Sequence, residues 1–369
     1  MRRKVLFTAS TFSHIRSFHL PYLAAFQARG WEVHVACADP PESVQYADKI
    51  IALPFQKKMA SPHNFRAAGM LRRAVGSERY DLVTVHTSLA AFFTRLAVKG
   101  MDTRPPVVNM VHGYLFDDQT PALKRAVLLT AERLTAPETD LLMAMNRWDF
   151  DLAKRYALGR EIVLIPGIGV DFSKLECGRE GGGALREKLG ISKDAFVLIY
   201  PAEFSKRKSQ EIVIRAMTML PERTVLVLPG DGVLRERCKA LAVQLGLRGR
   251  VIFPGHISAM SPWYGMADAA VSASRSEGLP FNVMEAMYCG LPVTASAVKG
   301  HIDLIRHEET GMLYPYGDAD ACAQALRSVM DSEPLRRRLA ASARECVGQY
   351  ALEQAEPIVM RAYESVLEK

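Results

Sequence analysis

The chain has 369 residues and a formal net charge of +7, and 49% of its residues are hydrophobic. These values are ordinary for a soluble globular protein, and the length suggests two domains. No apolar run approaches the length of a membrane span, and the run after Lys4 ends after three residues, so we expect neither a transmembrane helix nor a signal peptide. The six cysteines show no Cys-x-x-Cys pair, which predicts reduced thiols in a cytoplasmic protein.

The excess positive charge lies in the first half of the chain. Residues 1–170 contain 22 Lys and Arg against 15 Asp and Glu, whereas residues 171–369 contain 25 of each. A basic face suits an anionic membrane surface, an acidic polymer or nucleic acid, although scattered solubilising charge is an equal alternative. We expect no nucleic-acid partner, because no binding motif accompanies the basic residues.

In chain order, the first half alternates short apolar segments with segments of helical periodicity. Such alternation predicts a parallel sheet covered by helices on both faces. The predicted strands are 5–9, 31–37, 50–53, 81–86, 106–112, 141–145 and 162–165, and the predicted helices are 17–29, 64–75, 88–98, 121–135 and 149–156.

The second half repeats the alternation after a turn-rich linker at 166–171 and a glycine run at 181–183, which we interpret as a flexible loop. We predict an α/β protein with two Rossmann-like domains, 1–168 and 169–350, which face a central cleft, followed by a helical segment at 351–369. The predicted strands are 196–201, 224–229, 251–254, 269–273 and 293–296, and the predicted helices are 210–219, 234–245, one that ends at 264–266, and 353–369.

Residues 274–293 are the most informative segment, because they place a glutamate on each side of a predicted helix start. Glu277 lies in the loop before the helix, and Glu285 follows about two turns later. Pro280 suits the first turn and Gly290 suits the position after the last helical residue. The amides of the helix start predict a phosphate pocket, with one glutamate on sugar hydroxyls and the other on ribose hydroxyls. The pocket residues are Gly278, Leu279, Pro280, Phe281 and Asn282.

This segment resembles the signature of the retaining nucleotide-sugar glycosyltransferases of family 4, which have the GT-B fold. The matching residues are Glu277-Gly278-Leu279-Pro280, Glu285-Ala286-Met287 and Gly290-Leu291-Pro292-Val293. The resemblance implies a GT-B protein whose second domain binds the donor, and whose last helix crosses back to the first domain. It also implies retention of anomeric configuration without an enzymic nucleophile.

The loop after the strand at 196–201 carries the basic residues expected on the donor diphosphate. Lys208 matches the family lysine, but Glu203 stands where the family has arginine. The resemblance therefore leaves three alternatives: Arg207 supplies the second positive charge, Lys206 supplies it, or Glu203 orients one of them. His256 and Ile257 resemble the loop near the base, although His256 is equally well explained as a surface residue.

Three residues in the first domain are further candidates, although the paired glycines usual in the family's first loop are absent. The resemblance implies that His112, at the end of a strand, faces the donor and contacts the transferring sugar or phosphate; a packed histidine is the alternative. Ser13 and His14 follow the first strand, where acceptors and diphosphates enter, and His19 is interpreted as a capping or packing residue. In the second domain, Asp303 either supports Glu277 or is structural.

No metal site is predicted. Asp149 and Asp151 form an Asp-x-Asp pattern, but they fall inside a predicted helix, where alternate side chains point to different faces. The GT-B resemblance implies that basic residues and helix amides take the place of a divalent cation, and that no cofactor is needed beyond the nucleotide-sugar co-substrate.

The predicted activity is transfer of a hexose or N-acetylhexosamine from a UDP-sugar to a lipid-linked saccharide in the assembly of a capsule, exopolysaccharide or other surface polysaccharide. The basic first half, the helix at 122–133 and Lys57-Lys58 suggest peripheral contact with the anionic inner face of the cytoplasmic membrane. Two alternatives remain: a GT-B sugar-nucleotide epimerase, and a non-catalytic protein that binds sugar nucleotides.

Overall fold

The computed structural model describes residues 2–175 and 182–368. They form two compact units, one made of Met1–Ile168 with Ala355–Lys369 and the other made of Gly169–Gln354. Each unit contains one all-parallel sheet with its own hydrophobic core, so the prediction of two Rossmann-like α/β domains is confirmed.

The first unit is built on a seven-stranded sheet with the order β3-β2-β1-β4-β5-β6-β7. The strand order reverses beside β1, which pairs with β2 on one side and β4 on the other. Such a reversal opens a crevice at the carboxyl ends of the strands, where ligands bind in folds of this type. The strands are β1 Lys4–Thr8, β2 Glu32–Cys37, β3 Lys49–Ala52, β4 Leu82–His86, β5 Val107–Val111, β6 Leu141–Ala144 and β7 Glu161–Leu164.

The helices of the first unit differ from the prediction at one place that affects a candidate site. The segment predicted as one helix at 17–29 is two helices, and α1 begins before it. The break falls at His19: Pro21 has no amide hydrogen to donate to the carbonyl of Ser17, and the carbonyl of His19 accepts from Tyr22 and Leu23 at the start of α2. The helices are α1 Phe12–Phe18, α2 Leu20–Ala28, α3 Pro62–Glu78, α4 Ser88–Val98, α5 Ala122–Thr135 and α6 Arg147–Tyr156.

The second unit is built on a six-stranded sheet with the order β10-β9-β8-β11-β12-β13, which reverses between β8 and β11. Its strands are β8 Phe196–Ile199, β9 Thr224–Pro229, β10 Val251–Gly255, β11 Ala269–Ser272, β12 Val293–Ser296 and β13 Met312–Tyr314. Its helices are α7 Gly182–Lys188, α8 Gln210–Ala216, α9 Arg235–Gln244, α10 Ser261–Gly265, α11 Phe281–Tyr288, α12 His301–Leu304, α13 Ala319–Asp331 and α14 Glu333–Val347. All the strands are parallel, so the loops that follow them meet along one edge.

Two details of the second unit differ from the sequence prediction. The glycine run is not simply a loop: Gly181 lies outside the described residues, but α7 begins at Gly182. A Cβ atom on Gly182 would lie 2.5 Å from the carbonyl oxygen of Gly265, so this glycine allows two backbones to touch. Pro280 precedes α11 as its N-cap residue rather than occupying the first turn.

The last helix, α15 (Leu352–Leu367), belongs to the first unit from Ala355 onward. Tyr363 is fully buried there, and its hydroxyl lies 2.9 Å from the Thr84 hydroxyl on β4. At the surface, Arg29 pairs with Glu356 and Glu364. The part of α15 from Ala355 onward therefore contributes to the core of the first unit.

Candidate functional site

A buried carboxylate holds two cations at the carboxyl edge of the sheet in the second unit. Glu277 Oε1 lies 2.5 Å from Lys208 Nζ, and Glu277 Oε2 lies 2.5 Å from Arg207 Nη1. Glu277 and Lys208 are 6% and 9% exposed, whereas half of the Arg207 side chain is exposed. We call these three residues the ion-pair cluster. Two cations and one carboxylate leave a net charge of +1, which suits an anionic ligand.

The electrostatics of the cluster keep the carboxylate charged. Burial alone would raise the pKa of Glu277, but Lys208 and Arg207 outweigh it and lower that pKa to about 2. Burial also lowers the pKa of Lys208, and the Glu277 charge opposes this effect. Glu277 therefore remains an acceptor of hydrogen bonds across the physiological pH range.

Neighbouring backbone contacts fix the two segments that carry the cluster. The Tyr200 hydroxyl donates to the carbonyl of Lys208 over 2.7 Å and lies 3.0 Å from Ser274 Oγ. The amide of Arg275 donates to the carbonyl of Arg207 over 2.7 Å. Strands β8 and β11 are neighbours in the sheet, so the loops after them can be joined in this way.

The loop after β8 contains a residue with an unusual backbone conformation. Ser209 has φ +49°, in the left-handed region that glycine adopts most easily. Its hydroxyl donates to the carbonyl of Lys206 and lies 3.1 Å from the Tyr316 hydroxyl, which holds the strained residue in place. Arg207 rather than Lys206 joins the ion-pair cluster, and the Glu203 side chain is exposed.

The predicted phosphate pocket lies at the start of α11. The first amides of a helix have no partner inside it and point toward its N-terminal end, where an anion is favoured. Asn282 fixes the start of α11 to the loop after β8, since its Nδ2 donates to the carbonyl of Pro201 over 3.0 Å. Gly278, Leu279 and Phe281 are all half-buried. The pocket and the ion-pair cluster are thus joined through the 277–282 segment.

Glu285 lies on α11 and is held by a tyrosine that the sequence analysis did not identify. The hydroxyl of Tyr264, a buried residue of α10, donates to Glu285 Oε2 over 2.7 Å. Burial raises the pKa of Glu285, and the bond from Tyr264 opposes that rise. Tyr264 is therefore a positioning residue for this carboxylate.

Gly230 allows the loops after β8 and β9 to pack closely, and its amide joins them to the end of β10. A Cβ atom on Gly230 would lie 2.1 Å from the carbonyl oxygen of Ala202, and the Gly230 amide donates to Gly255 over 2.7 Å. Directly after Gly255, His256 is exposed and Ile257 is half-buried. The structure thus places the predicted base loop on the same edge as the ion-pair cluster.

In the first unit, four histidines from three segments lie together, and we call them the histidine cluster. His14 and His112 were predicted separately, and the structure brings their ring centroids to 4.5 Å. His19, at the break between α1 and α2, lies 5.2 Å from His14, and the ring of His86, at the end of β4, lies 3.7 Å from that of His19 with a tilt of 36°. Ser13 points elsewhere: it is exposed, and its hydroxyl lies 3.0 Å from that of Thr11.

His19 and His86 of the histidine cluster are buried, His14 and His112 are half-buried, and several buried ring nitrogens of all four lack hydrogen-bond partners among the described residues. Nε2 of His14, both ring nitrogens of His19, Nδ1 of His86 and Nε2 of His112 have no hydrogen-bond partner among the described residues. Burial lowers the pKa of His14 to about 4 and the pKa values of the other three well below their ordinary value. All four rings are therefore neutral at pH 7.

The remaining acidic candidates contact other residues of their own unit. Asp149 is buried and accepts hydrogen bonds from Asn146 Nδ2 and the Tyr114 amide, whereas Asp151 is exposed beside Arg147. Asp303 accepts from the Gly300 amide over 3.0 Å, which caps α12.

Comparison with known proteins defines the class. The family model described as Glycosyltransferase Family 4 matches residues 22–173, and the one described as Glycosyl transferases group 1 matches residues 183–346. The glycosyltransferase EpsD of Bacillus subtilis (strain 168) is 32% identical over 356 residues, which cover 94% of this chain and 92% of EpsD. The chain therefore belongs to family 4 of the glycosyltransferases, and it is an enzyme of that class.

Other similar proteins include the UDP-Gal:alpha-D-GlcNAc-diphosphoundecaprenol alpha-1,3-galactosyltransferase of Escherichia coli. It is 24% identical over 317 residues, which cover 83% of this chain and 81% of that protein. Among solved structures, sucrose-phosphate synthase from Thermosynechococcus elongatus superposes with a TM-score of 0.83 at 21% identity, over 100% of both chains. Anabaena HepE in complex with UDP-glucose gives 0.79 at 19% identity, over 98% of this chain and 99% of HepE. The fold is GT-B.

No helix within residues 2–175 and 182–368 combines the length and the hydropathy that crossing a bilayer requires.

Proposed function

We propose that the protein transfers a hexose or N-acetylhexosamine from a UDP-sugar to a lipid-linked saccharide, with retention of anomeric configuration, in the assembly of a surface polysaccharide. The observation that carries the proposal is the ion-pair cluster of Arg207, Lys208 and Glu277, which is joined to the helix start at Phe281. This arrangement offers positive charge for a diphosphate and a charged carboxylate for sugar hydroxyls.

In the proposed reaction, Lys208, Arg207 and the amides of the α11 start stabilise the departing diphosphate. Each preorganised donor of this kind contributes roughly 3–4 kcal/mol to the transition state. Glu277 accepts hydrogen bonds from the sugar, and Glu285, held by Tyr264, accepts them from the ribose. His112 is assigned to the transferring sugar or phosphate, as the family resemblance implies.

The bond changes balance without an enzymic nucleophile. The bond between the anomeric carbon and the diphosphate oxygen breaks as the acceptor hydroxyl attacks on the same face. The hydroxyl proton passes to the departing phosphate oxygen, and the products are UDP and the extended glycan. The positive charge that a divalent cation supplies in other transferases comes here from protein groups, so we propose that no metal is required for transfer.

Relatives support the choice of donor and acceptor. The galactosyltransferase of Escherichia coli is named for UDP-Gal as its donor and a diphosphoundecaprenol-linked sugar as its acceptor. The HepE structure contains UDP-glucose.

Helix α5 supports contact with a lipid surface. Leu123, Val127 and Leu134 are 81%, 62% and 60% exposed, and their spacing places them along one stripe of the helix. Exposed Lys124 and Arg133 flank this stripe. Apolar side chains that enter the interface and cations that meet anionic headgroups are what a peripheral membrane helix uses.

The transfer assay combines the protein with a panel of UDP-sugars and an undecaprenyl-diphosphate-linked saccharide, and follows both free UDP and the mass of the glycolipid. We expect equal amounts of UDP and of glycolipid extended by one sugar. Release of UDP with a free epimerised sugar would support the epimerase instead, and donor binding without any product would overturn the proposed transfer.

A vesicle assay tests the membrane contact separately. The variant Leu123→Glu/Val127→Glu should pellet less with anionic vesicles than the native protein, because the apolar stripe is lost. Val243→Glu, at a position on α9 that is 49% exposed, is the matched control and should pellet normally. Equal pelleting of all three proteins would contradict a role for α5.

A further inference from the structure

The histidine cluster has a second use besides the role assigned to His112. We propose that His14, His19 and His112 form a binding site for a divalent transition metal, with Zn²⁺ as the preferred ion. The three side chains offer ligand atoms within 4.8 Å of one another.

Ring geometry supports a common metal centre. The centroids are 5.2 Å apart for His14 and His19, 5.0 Å for His19 and His112, and 4.5 Å for His14 and His112. Imidazoles at about 2.0–2.1 Å from a tetrahedral zinc ion have centroids roughly 5 Å apart and nitrogens about 3.4 Å apart. Small side-chain rotations would therefore bring the three nitrogens to coordination distance.

Ring nitrogens without hydrogen-bond partners are an independent reason to expect a metal ion. His19 is fully buried, and neither of its ring nitrogens has a partner among the described residues. The Nε2 atoms of His14 and His112 are also buried without partners. Leaving so many polar atoms unpaired is costly, and a bound cation would satisfy one nitrogen on each ring.

The three imidazole ligands favour an ion of borderline softness, such as Zn²⁺, over the hard ions Mg²⁺ and Ca²⁺. All three ligands are neutral imidazoles, which suit zinc, copper and nickel, whereas magnesium and calcium prefer oxygen. His86 is assigned a packing role, because its ring lies against His19 at 3.7 Å and its Nε2 lies 3.2 Å from the Thr84 hydroxyl. Three protein ligands leave the fourth position of a tetrahedral zinc ion open to water or an anion.

Metal binding has a consequence for transfer, and this consequence alone depends on the proposed function. A metal on His112 would occupy the imidazole that we assign to the sugar or phosphate. Zinc would therefore inhibit transfer, and a chelator would restore it.

Binding is tested directly on the untagged full-length protein after it is stripped of metal. Zn²⁺ is titrated by calorimetry, and Co²⁺ is titrated by visible absorption, since tetrahedral cobalt gives intense bands. We expect one ion per chain, and a loss of affinity of at least about tenfold in each of His14→Asn, His19→Asn and His112→Asn. His63→Asn changes an exposed histidine on α3 and should bind as the native protein does.

Circular dichroism shows which variants are folded, and His14→Asn is the most informative because His14 is less buried than His19. The cobalt bands should vanish in folded His14→Asn and persist in His63→Asn. Absence of zinc binding by the native protein, or binding that folded His14→Asn and His112→Asn retain unchanged, would overturn the site. Either result leaves the transfer assay unaffected, so failure of the metal site and failure of the proposed function are distinguishable.

Discussion

Lys208 and Glu277 are 69 residues apart in the sequence, yet Lys208 Nζ lies 2.5 Å from Glu277 Oε1 in a buried ion pair. One residue follows β8 and the other follows β11, and these strands are neighbours in the sheet. The donor site that we propose therefore depends on the topology of the second unit, because the strand reversal brings the two loops together.

Breaking this pair should cost both activity and stability. Lys208→Met should lower transfer by roughly 10²–10³-fold, because a preorganised donor to the diphosphate is lost. It should also destabilise the protein, because the Glu277 carboxylate stays buried without Lys208. The usual cost of such a loss is about 3–5 kcal/mol, and the remaining contact with Arg207 should reduce it. Transfer rates and urea denaturation measure the two effects.

The double variant Lys208→Met/Glu277→Leu provides the control. Replacing both charges with apolar groups should recover much of the stability and none of the activity. Full activity in either protein would remove Lys208 from the donor site.

Tyr264→Phe should change the pH dependence of donor binding. The tyrosine hydroxyl stabilises the charged form of Glu285. Burial already raises the pKa of Glu285, and loss of the hydroxyl should raise it further. A Glu285 that is protonated no longer accepts from both ribose hydroxyls. As the pH falls, the variant should therefore lose donor affinity at a higher pH than the native protein.

The readout is the KM for the donor as a function of pH, with kcat nearly unchanged. Glu285→Gln is the reference, since it removes the titrating group and should show weak binding without this acid dependence. Superimposable pH profiles for Tyr264→Phe and the native protein would contradict the positioning role.

Gly300→Ala should damage the site through backbone contact. Gly300 has φ +81°, and a Cβ atom there would lie 2.7 Å from the Cβ of Glu277. Gly317→Ala is the control. Gly317 has φ +89° with nothing within 4 Å of its Cβ position, so alanine there brings the backbone strain of a positive φ without a steric clash. Transfer should fall only in Gly300→Ala, and thermal stability should fall more there than in Gly317→Ala. Equal effects would show that Glu277 does not need this close approach.

Local patterns were sufficient to predict much of this molecule. The alternation of strands and helices predicted two parallel sheets, and residues 277–290 predicted the helix start with its flanking glutamates, because turn and capping residues act over short distances. The short strand β13 was missed, since three residues carry no period. The break at His19 was missed because the predicted helix included Pro21, which fits the first turn of α2.

Contacts between distant segments could not be read from the sequence. Tyr264 supports Glu285 from another helix, and no motif marks it. The histidine cluster combines α1, β4 and the end of β5, and the spacing of its members resembles no known ligand pattern. Whether Arg207 or Lys206 joins Glu277 depends on how the loops after β8 and β11 meet, which neighbouring residues in the sequence do not show.

Thermal denaturation with UDP, GDP, ADP and their common sugar conjugates tests the central claim, a UDP-sugar site built on Lys208, Glu277 and Glu285. UDP and at least one UDP-sugar should raise the melting temperature selectively. Ligand at 100 times its dissociation constant adds about 2.7 kcal/mol to the free energy of unfolding, and Glu285→Gln should lose this stabilisation. Selective stabilisation by GDP or ADP, or no stabilisation by any nucleotide, would contradict the claim.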